Sequence, residues 1–261
     1  MENKKIYKKR IKKPRYFIGS LARGLSILNT FCQNEPNLSL SEIASANGLT
    51  MATASRYLLT MKELGYLVQD VQTKKYLPSP KILSLGFSLL KNMNLRKRIL
   101  PYMMELTKEL NVTTQCAVLD GPEIIYIERI RSNDVVNLDL TSGSRLPAYC
   151  TALGKAILAF LDPLEVEGIL SRMNFFAHTP YTITNKEVLK KDLEAVRSRG
   201  YAINKEELTL GLCTFAAPIF KFGKVEASFG LSFPCYRLRD KKAVKKFITR
   251  MLEIAQKVSI Y

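Results

Sequence analysis

Residues 39–65 read SLSEIASANGLTMATASRYLLTMKELG, and this stretch decides the fold of the N-terminal third. Ser39 and Glu42 have the spacing of a capping box, in which each side chain satisfies the backbone amide of the other residue at a helix start. Gly48 follows barely two turns later and tolerates the left-handed conformation that ends a helix. Thr50 can cap a second, longer helix. A short helix, a tight glycine turn and a longer helix have the spacing of a helix-turn-helix.

The flanking segments predict the rest of a winged helix-turn-helix. Apolar residues recur at helical spacing over residues 21–32. Residues 66–68 and 76–77 are short apolar segments on either side of a polar turn that contains Lys74 and Lys75, which indicates a β-hairpin with a basic tip. The alternative, an ordinary helical hairpin, does not account for the ordered set of helix, short helix, turn, long helix and basic hairpin.

The remainder of the chain alternates strands with helices. A proline-containing boundary near Pro80 predicts a connecting helix, which breaks around residues 92–94. Mixed elements on an antiparallel sheet predict an α+β domain of sensor type. The expected strands are 113–119, 124–130, 135–140, 215–220 and 225–233, and the expected helices begin at a Thr151 cap, at a capping box formed by Thr184 and Glu187, and at Lys241. The predicted divisions are a basic arm over 1–19, the winged helix-turn-helix over 20–79, a linker helix over 80–93 and the α+β domain over 94–261.

Positive charge is concentrated in the first third of the chain. The whole sequence has 40 Lys and Arg against 23 Asp and Glu, a net +17, and residues 1–99 hold 18 basic and 5 acidic residues, a net +13. This asymmetry is typical of a polyanion-binding module joined to a nearly neutral one. The basic residues of the first fifteen positions are either an arm that contacts DNA or an unstructured solubilising tail.

Several other classes of protein are disfavoured by the sequence. No apolar run approaches the length of a membrane span and no secretory signal follows the basic N-terminus, so a cytoplasmic protein is expected. The five scattered cysteines are expected to be reduced and mostly buried, and with a single histidine they form no zinc cluster; no cofactor is expected. Cys150 at a helix start lacks a neighbouring base, and Glu206 and Glu207 would face opposite sides of a strand. An enzyme is therefore not expected.

The sequence resembles the IclR (isocitrate lyase regulator) family of transcription factors from Ser20 to Ile260. The resemblance rests on the stretch 40–65 and on five further segments: SLARGL at 20–25, GSRLPAYCTALGK at 143–155, VRSRGY at 196–201, the glutamates at 206–207, and GLCTFAAP at 211–218. The first two of these look most like the branch that controls aromatic-acid catabolism, with effectors such as protocatechuate or 4-hydroxybenzoate. The resemblance implies a GAF-like effector domain, homodimers often paired as tetramers, and palindromic operators.

The exposed face of the second helix of the motif is expected to enter the major groove. Arg56 either pairs with guanine O6 and N7 or holds a phosphate. The wing lysines are expected to add salt-sensitive affinity that is independent of sequence. The expected DNA-binding residues are Thr50, Met51, Ala52, Thr53, Ser55, Arg56, Lys74 and Lys75.

A carboxylate effector is expected where a loop meets the helix capped by Thr151, because amides and the helix dipole there suit an anion. Arg145 is a further candidate partner for that carboxylate. The resemblance, carried over by motif position, adds residues from the loop and from two facing strands. The expected effector-binding residues are Arg145, Leu146, Tyr149, Cys150, Ala152, Leu153, Thr214 and Ser232.

The sequence thus favours a DNA-binding regulator controlled by a small carboxylate. A nucleic-acid-binding protein without an effector response is the alternative, and it predicts salt-sensitive binding that ignores ligands.

Overall fold

The computed structural model describes residues 14–33, 37–132 and 139–261, and the chain divides after Leu89 into two units, Met1–Leu89 and Leu90–Tyr261. Residues 1–13 of the basic arm expected over 1–19, and most of the strand expected at 135–140, lie outside the described residues. Among the described residues, no helix is long and apolar enough to cross a membrane.

The N-terminal unit is a winged helix-turn-helix. Its buried apolar side chains come from all three of its first helices and from both strands, and Ile27, Ile43 and Leu58 are fully buried at their meeting point. The two strands pair antiparallel as the wing. The elements are α1 (Gly19–Gln33), α2 (Leu40–Ala46), α3 (Met51–Glu63), β1 (Leu67–Gln69), β2 (Tyr76–Pro78) and α4 (Lys81–Asn92), the last of which spans the division between the units.

The two helices of the motif begin and end for the reasons that the sequence suggests. The backbone amide of Ser39 donates to Glu42 Oε2 at 2.7 Å, and the Glu42 amide donates to Ser39 Oγ at 3.3 Å. Gly48 has a φ of +60°, and this reverses the chain so that the Leu49 amide donates to the Ala44 carbonyl at 2.9 Å. The predicted capping box and helix-turn-helix are confirmed.

The C-terminal unit is built on a six-stranded antiparallel sheet with the strand order β5-β4-β3-β8-β7-β6. The sheet carries helices on both faces, which is the α+β class predicted from the sequence. The elements are α5 (Asn94–Leu110), β3 (Thr113–Asp120), β4 (Glu123–Ile130), β5 (Arg145–Pro147), α6 (Ala152–Leu158), α7 (Pro163–Leu170), α8 (Lys186–Arg199), β6 (Ala202–Lys205), β7 (Leu212–Lys221), β8 (Lys224–Pro234) and α9 (Lys241–Val258), with short 3-10 helices at Ala148–Cys150 and Cys235–Arg239.

The sheet divides the apolar core into two layers. Successive side chains of a strand point to opposite faces, so Phe215 packs with α5 and α9 on one face, whereas Ala216 packs with α6, α7 and α8 on the other. The face under α6 carries polar residues near the ends of the central strands. This combination of a polar sheet face and a covering helix forms the cavity described below.

Three expectations about the C-terminal unit need correction. The cap of α8 is Asn185, whose Oδ1 accepts from the amides of Glu187 and Val188 at 2.8 and 3.1 Å, so Thr184 is not the cap. Asparagine is among the preferred N-cap residues, because its side-chain oxygen accepts from the amides two and three residues further on. The helix α7 was not expected; Asp162 caps it, and Pro163 stands at its first position. Glu206 and Glu207 lie in a turn beyond β6 rather than on a strand.

The expectation that all five cysteines are reduced is also wrong, because Cys213 and Cys235 form a disulfide. Antiparallel pairing of β7 with β8 opposes Leu212 to Pro234, and this brings the two cysteine Cα atoms to 5.0 Å although 22 residues separate them in sequence. Cys32, Cys116 and Cys150 are free, as expected for all five.

Candidate DNA interface and effector site

Helix α3 presents one exposed face and one buried face. Ala54, Leu58 and Met61 are buried at helical spacing against the N-terminal core. Ala52 and Arg56 are exposed on the opposite side, one turn apart. The Arg56 guanidinium makes no ion pair with any described residue, so it is available to a DNA base or phosphate.

The other expected contacts on α3 differ in their availability. Thr50 is the cap, and its Oγ1 accepts from the Thr53 amide at 3.3 Å and donates to Thr53 Oγ1 at 2.9 Å. These hydroxyls therefore stabilise the start of the helix, where Met51 and Ala52 are exposed. Met51 is half exposed at that start, and Ser55 is partly buried.

The wing presents its lysines on a structured tip. Asp70 Oδ1 accepts from the amides of Gln72 and Thr73 at 2.9 and 2.6 Å, and the hydrogen bonds from Thr73 lower the pKa of Asp70. Lys74 has a φ of +58° and is exposed, whereas Lys75 is partly buried. A fixed turn with a cation at its apex is suited to contact a phosphate.

The C-terminal unit encloses a cavity of about 30 Å³ between the sheet and the start of α6. A single ordered water needs about 10–15 Å³ on this scale, so the space is that of a few water molecules. Most of its lining is contributed by strands β3, β4, β7 and β8 and by the segment at the start of α6. The lining residues are Thr113, Gln115, Tyr126, Arg129, Leu140, Cys150, Thr151, Ala152, Leu153, Asn204, Leu208, Thr209, Leu212, Thr214 and Ser232.

The floor of this cavity is a chain of hydrogen bonds between three strands. Gln115 Nε2 on β3 donates to Ser232 Oγ on β8 at 2.6 Å, and Ser232 Oγ lies 2.7 Å from Thr214 Oγ1 on β7. All three residues are buried. With Ser232 donating to Thr214, the Thr214 hydroxyl keeps its proton for a ligand oxygen.

Arg129 is the cation among the described residues that line the cavity. Its Nη1 donates to the Leu140 carbonyl at 3.1 Å, whereas its Nε is buried and has no hydrogen-bond partner among the described residues. Burial lowers the pKa of Arg129, and the nearby Arg131 adds to this. Arginine nevertheless stays protonated near neutral pH. A buried donor without a partner costs free energy, which an anion in the cavity would recover.

The structure places five of the eight expected effector-binding residues at the cavity and three elsewhere. Cys150, Ala152, Leu153, Thr214 and Ser232 line it. Arg145 instead donates to Asp120 Oδ2 at 2.5 Å and to Glu123 Oε2 at 2.8 Å on the outer strands. Its charge is thus already compensated within the protein, and Arg145 does not line the cavity, whereas Arg129 does.

Tyr149 and Leu146 are also outside the cavity lining. The Tyr149 hydroxyl donates to the Phe176 carbonyl at 2.7 Å and accepts from the Phe176 amide at 2.9 Å. Its ring packs against Phe175 with centroids 5.0 Å apart. Leu146 packs in the core layer beneath α6. Neither residue lines the cavity, and the contacts of both stabilise its walls.

Burial raises the pKa of Cys150 to about 12, so this thiol is protonated and unreactive at neutral pH. Glu207, which is buried nearby, contributes in the same direction. This agrees with the expectation that Cys150 is no nucleophile.

A buried ion cluster that no sequence pattern indicates lies behind the cavity wall. Lys155 on α6 is 1% exposed, and its Nζ donates to Glu207 Oε1 at 2.5 Å and to Asp192 Oδ2 on α8 at 2.8 Å. Burial raises the pKa of Glu207, against the opposing effect of Lys155. The Glu207 amide donates to Asn204 Oδ1, and Asn204 Nδ2 donates to the Cys150 carbonyl at 2.5 Å. The cluster therefore joins α6 to α8 through Asp192 and to the turn after β6 through Glu207.

Comparison with known proteins agrees with this architecture. Residues 20–71 match the family described as IclR helix-turn-helix domain, and residues 87–260 match the one described as bacterial transcriptional regulator IclR C-terminal. The Pca regulon regulatory protein of Pseudomonas putida is 32% identical over 238 residues, which cover 90% of this chain and 81% of that protein. The regulator KdgR of Escherichia coli strain K12 is also 32% identical, covering 93% of this chain and 92% of that protein.

A solved structure shows the same fold with a ligand. It is an IclR homologue from Microbacterium hydrocarbonoxydans complexed with 4-hydroxybenzoate, which is 25% identical with a TM-score of 0.77 and covers 92% of this chain and 97% of that chain. A winged helix-turn-helix joined to an α+β effector domain defines a DNA-binding transcriptional regulator. The chain belongs to the IclR family, whose members among these relatives are named as regulators and not as enzymes.

Two regulators with different names are equally similar to this chain, so the matches do not single out the aromatic-acid branch.

Proposed function

We propose that this regulator binds a palindromic operator as a homodimer or a pair of dimers, and that a small carboxylate in the cavity of the C-terminal unit controls its activity. The observation that carries the effector class is Arg129, a half-buried cation of the cavity lining whose buried Nε has no hydrogen-bond partner among the described residues. A carboxylate satisfies such a donor with a charge-assisted hydrogen bond.

The opposite wall indicates that the effector has a second polar group. The Gln115, Ser232 and Thr214 network offers a hydroxyl proton and lone pairs on the floor, and Leu153 and Leu212 supply apolar surface. A hydroxy or oxo carboxylic acid fits this arrangement of one cation, one hydroxyl floor and apolar walls.

The size of the cavity separates two kinds of effector. A short aliphatic acid fits a space of a few water molecules, whereas a hydroxybenzoic acid requires the walls to move apart. The ligand of the Microbacterium homologue supports the aromatic choice, and the present cavity volume supports the aliphatic one.

Support for self-association comes from α4. No described residue of this helix is buried, and Leu83, Leu85, Phe87 and Leu89 are 58–65% exposed. Leu83 and Phe87 lie one turn apart, as do Leu85 and Leu89, so the helix exposes apolar side chains on two sides, and exposed apolar surface of this kind is typical of an interface. A second copy of the chain, which brings the same helix, is the partner that gives a two-fold operator.

The test combines DNA binding with a ligand panel. Fluorescence anisotropy would follow binding to the DNA upstream of the protein's own gene, with random DNA as competitor, at fixed salt, with short oxo and hydroxy acids and hydroxybenzoic acids added in turn. We expect sequence-preferring binding that one compound shifts. Sequence preference without any ligand response would instead support a DNA-binding protein that lacks an effector.

A matched pair of arginine variants tests the anchor. Arg129→Gln removes the cavity cation, whereas Arg131→Gln removes a more exposed arginine two residues away that pairs with Asp139. We expect Arg129→Gln to weaken the active carboxylate about 10- to 100-fold, the value of a charge-assisted hydrogen bond of about 1.5–3 kcal/mol. Equal effects of the two substitutions in calorimetric titrations would refute the role of Arg129.

A further inference from the structure

The disulfide between Cys213 and Cys235 lies directly under the cavity floor. Cys213 precedes Thr214 on β7, so the two side chains point to opposite faces of the sheet, one into the core and one into the cavity. Cys235 follows the end of β8, three residues after Ser232. The Cys235 amide also donates to the Gly211 carbonyl at 2.8 Å. One covalent bond therefore closes the ends of the two strands that carry the floor hydroxyls.

The bond also anchors the short 3-10 helix that begins at Cys235. Arg237 in this helix donates to the carbonyls of Leu110 and Asn111 at 3.0 and 2.7 Å, where α5 ends. Its guanidinium lies 4.8 Å from the ring centroid of Phe247 on α9. The disulfide thus fixes the segment through which the cavity floor is joined to both helices on the other face of the sheet.

The two cysteines differ in their exposure, and this favours one direction of attack. Cys213 is fully buried, whereas Cys235 is partly exposed as a residue. We expect a thiolate from solvent to attack the Cys235 sulfur, where it forms a mixed disulfide and displaces the sulfur of Cys213. The three remaining cysteines are not paired, and Cys116 and Cys150 are buried in the core.

We propose that Cys213 and Cys235 form a reversible dithiol–disulfide modification site that is opened by a thiol reductant and closed by a hydroperoxide, and that its oxidised state holds the cavity floor in place. In the closing reaction the Cys235 thiolate attacks the peroxide and becomes a sulfenic acid, with loss of the first water or alcohol. The Cys213 thiol then attacks that sulfur and releases water. Overall, two thiols and one hydroperoxide give one disulfide, one water and one further molecule of water or alcohol.

Alkylation of the full-length protein tests the bond itself. After treatment with hydrogen peroxide, denaturation and iodoacetamide, peptide mapping should find Cys32, Cys116 and Cys150 modified and the other two protected. After dithiothreitol is applied to the folded protein, all five should be modified. Modification of all five cysteines in the oxidised sample would overturn the proposal. So would a bond that dithiothreitol reduces only after the protein has been denatured.

Two single variants test the direction of attack. With oxidised glutathione, Cys213→Ser should form a mixed disulfide at Cys235, whereas Cys235→Ser should leave the buried Cys213 unmodified. Modification of both variants at equal rates would contradict the assignment of Cys235 as the accessible partner.

Hydrogen exchange tests the effect on the floor without any ligand, so its outcome is independent of the proposed carboxylate effector. Reduction should raise exchange about 3- to 10-fold in peptides that cover residues 211–216 and 230–239, and leave peptides that cover 40–64 unchanged. The melting temperature of the C-terminal unit should fall by roughly 5–15 °C. The Cys213→Ser/Cys235→Ser variant should behave as reduced protein in both conditions, and Cys32→Ser should respond as wild type. Identical exchange of oxidised and reduced wild type would overturn the link to the floor.

Discussion

Replacing Lys155 by methionine tests whether the buried ion cluster holds the C-terminal unit together. Methionine is close to lysine in length, so the change removes the charge and leaves little empty space. It leaves Glu207 buried without its cation, and Asp192 loses its nearer partner. Removal of one member of a buried ion pair costs about 3–5 kcal/mol. Because Lys155 is 1% exposed, solvent does not reduce this value by screening.

The corresponding change in melting temperature is large enough to measure. For a unit of this size, 1 kcal/mol shifts the melting temperature by about 2–4 °C, so Lys155→Met should lower it by roughly 6–20 °C. Differential scanning calorimetry would separate this transition from that of the N-terminal unit. The matched control is Lys190→Met, whose ion pairs with Glu167 and Glu187 lie on the surface and contribute less than about 1 kcal/mol.

The effect should also depend on pH in a definite direction. Burial raises the pKa of Glu207 above its value in the unfolded chain, so the folded state binds more protons in the range between the two pKa values. Stability from this group is therefore greatest at low pH and falls as pH rises through that range. Without Lys155 the pKa of Glu207 rises further. The loss caused by Lys155→Met should thus be smaller at pH 5 than at pH 8, by about 1.4 kcal/mol for each unit of additional rise.

Two results would refute this reasoning. A destabilisation of Lys155→Met no larger than that of Lys190→Met would show that the cluster contributes no more than a surface pair. An equal loss of stability at pH 5 and pH 8 would show that the cost arises from packing. A loss caused by the buried charge of Glu207 must differ between the two pH values, because this carboxylate can take up a proton at the lower one.

Three further outcomes follow from the described geometry. Gly154→Ala should destabilise the C-terminal unit by about 1–3 kcal/mol in thermal melts, because the added methyl group would overlap the Ala148 carbonyl, whereas Gly168→Ala, in an open position of α7, should stabilise it by roughly 0.5–1 kcal/mol. Arg56→Ala should weaken binding to the upstream DNA about 10- to 100-fold in anisotropy assays and binding to random DNA far less; equal losses would assign Arg56 to a phosphate. If the wild type is the proposed dimer, Phe87→Asp should convert it to a monomer in sedimentation equilibrium, and a wild type that is already monomeric at micromolar concentration would contradict the proposed interface.

The N-terminal unit could be predicted almost element by element because its signals are local. The Ser39 and Glu42 box, the Gly48 turn and the Thr50 cap each act within four residues, so sequence spacing alone specifies their hydrogen bonds. The wing follows from the same kind of information, since its turn is closed by Asp70. The exposure of Arg56 was predictable for the same reason, because the helical periodicity that buries Leu58 places Arg56 on the exposed face.

The cavity could be predicted only in part, because its lining comes from strands far apart in sequence. Arg145 lies in the segment 143–155 that resembles the family, but antiparallel pairing of β4 with β5 places it beside Asp120 and Glu123. Arg129 reaches the cavity from near the end of β4, the second strand from one edge of the sheet. One usable signal was present: Thr113 and Gln115 are polar and two positions apart on β3, so their side chains share one face of the sheet, and both line the cavity.

The cysteine pairing required the three-dimensional structure, because it depends on register. The two residues are 22 positions apart, and β7 and β8 place them together only in the alignment that opposes Leu212 to Pro234. A shift of one residue would turn every side chain of the strand to the other face. The sequence alone allowed the five cysteines many pairings or none.

The recognised segment at 143–155 supplies the frame of the effector site more than its chemistry. Tyr149 clamps the loop at Phe176, Thr151 caps α6 through the Gly154 amide, Gly154 permits close approach to Ala148, and Lys155 ties α6 to α8. The groups able to bind a polar ligand are instead on the strands. It follows that relatives with a similar segment can respond to different effectors when the strand residues differ. Exchange of the residues at 115, 129, 214 and 232 between this chain and another family member should therefore transfer ligand preference. Exchange of the segment 143–155 should not transfer it.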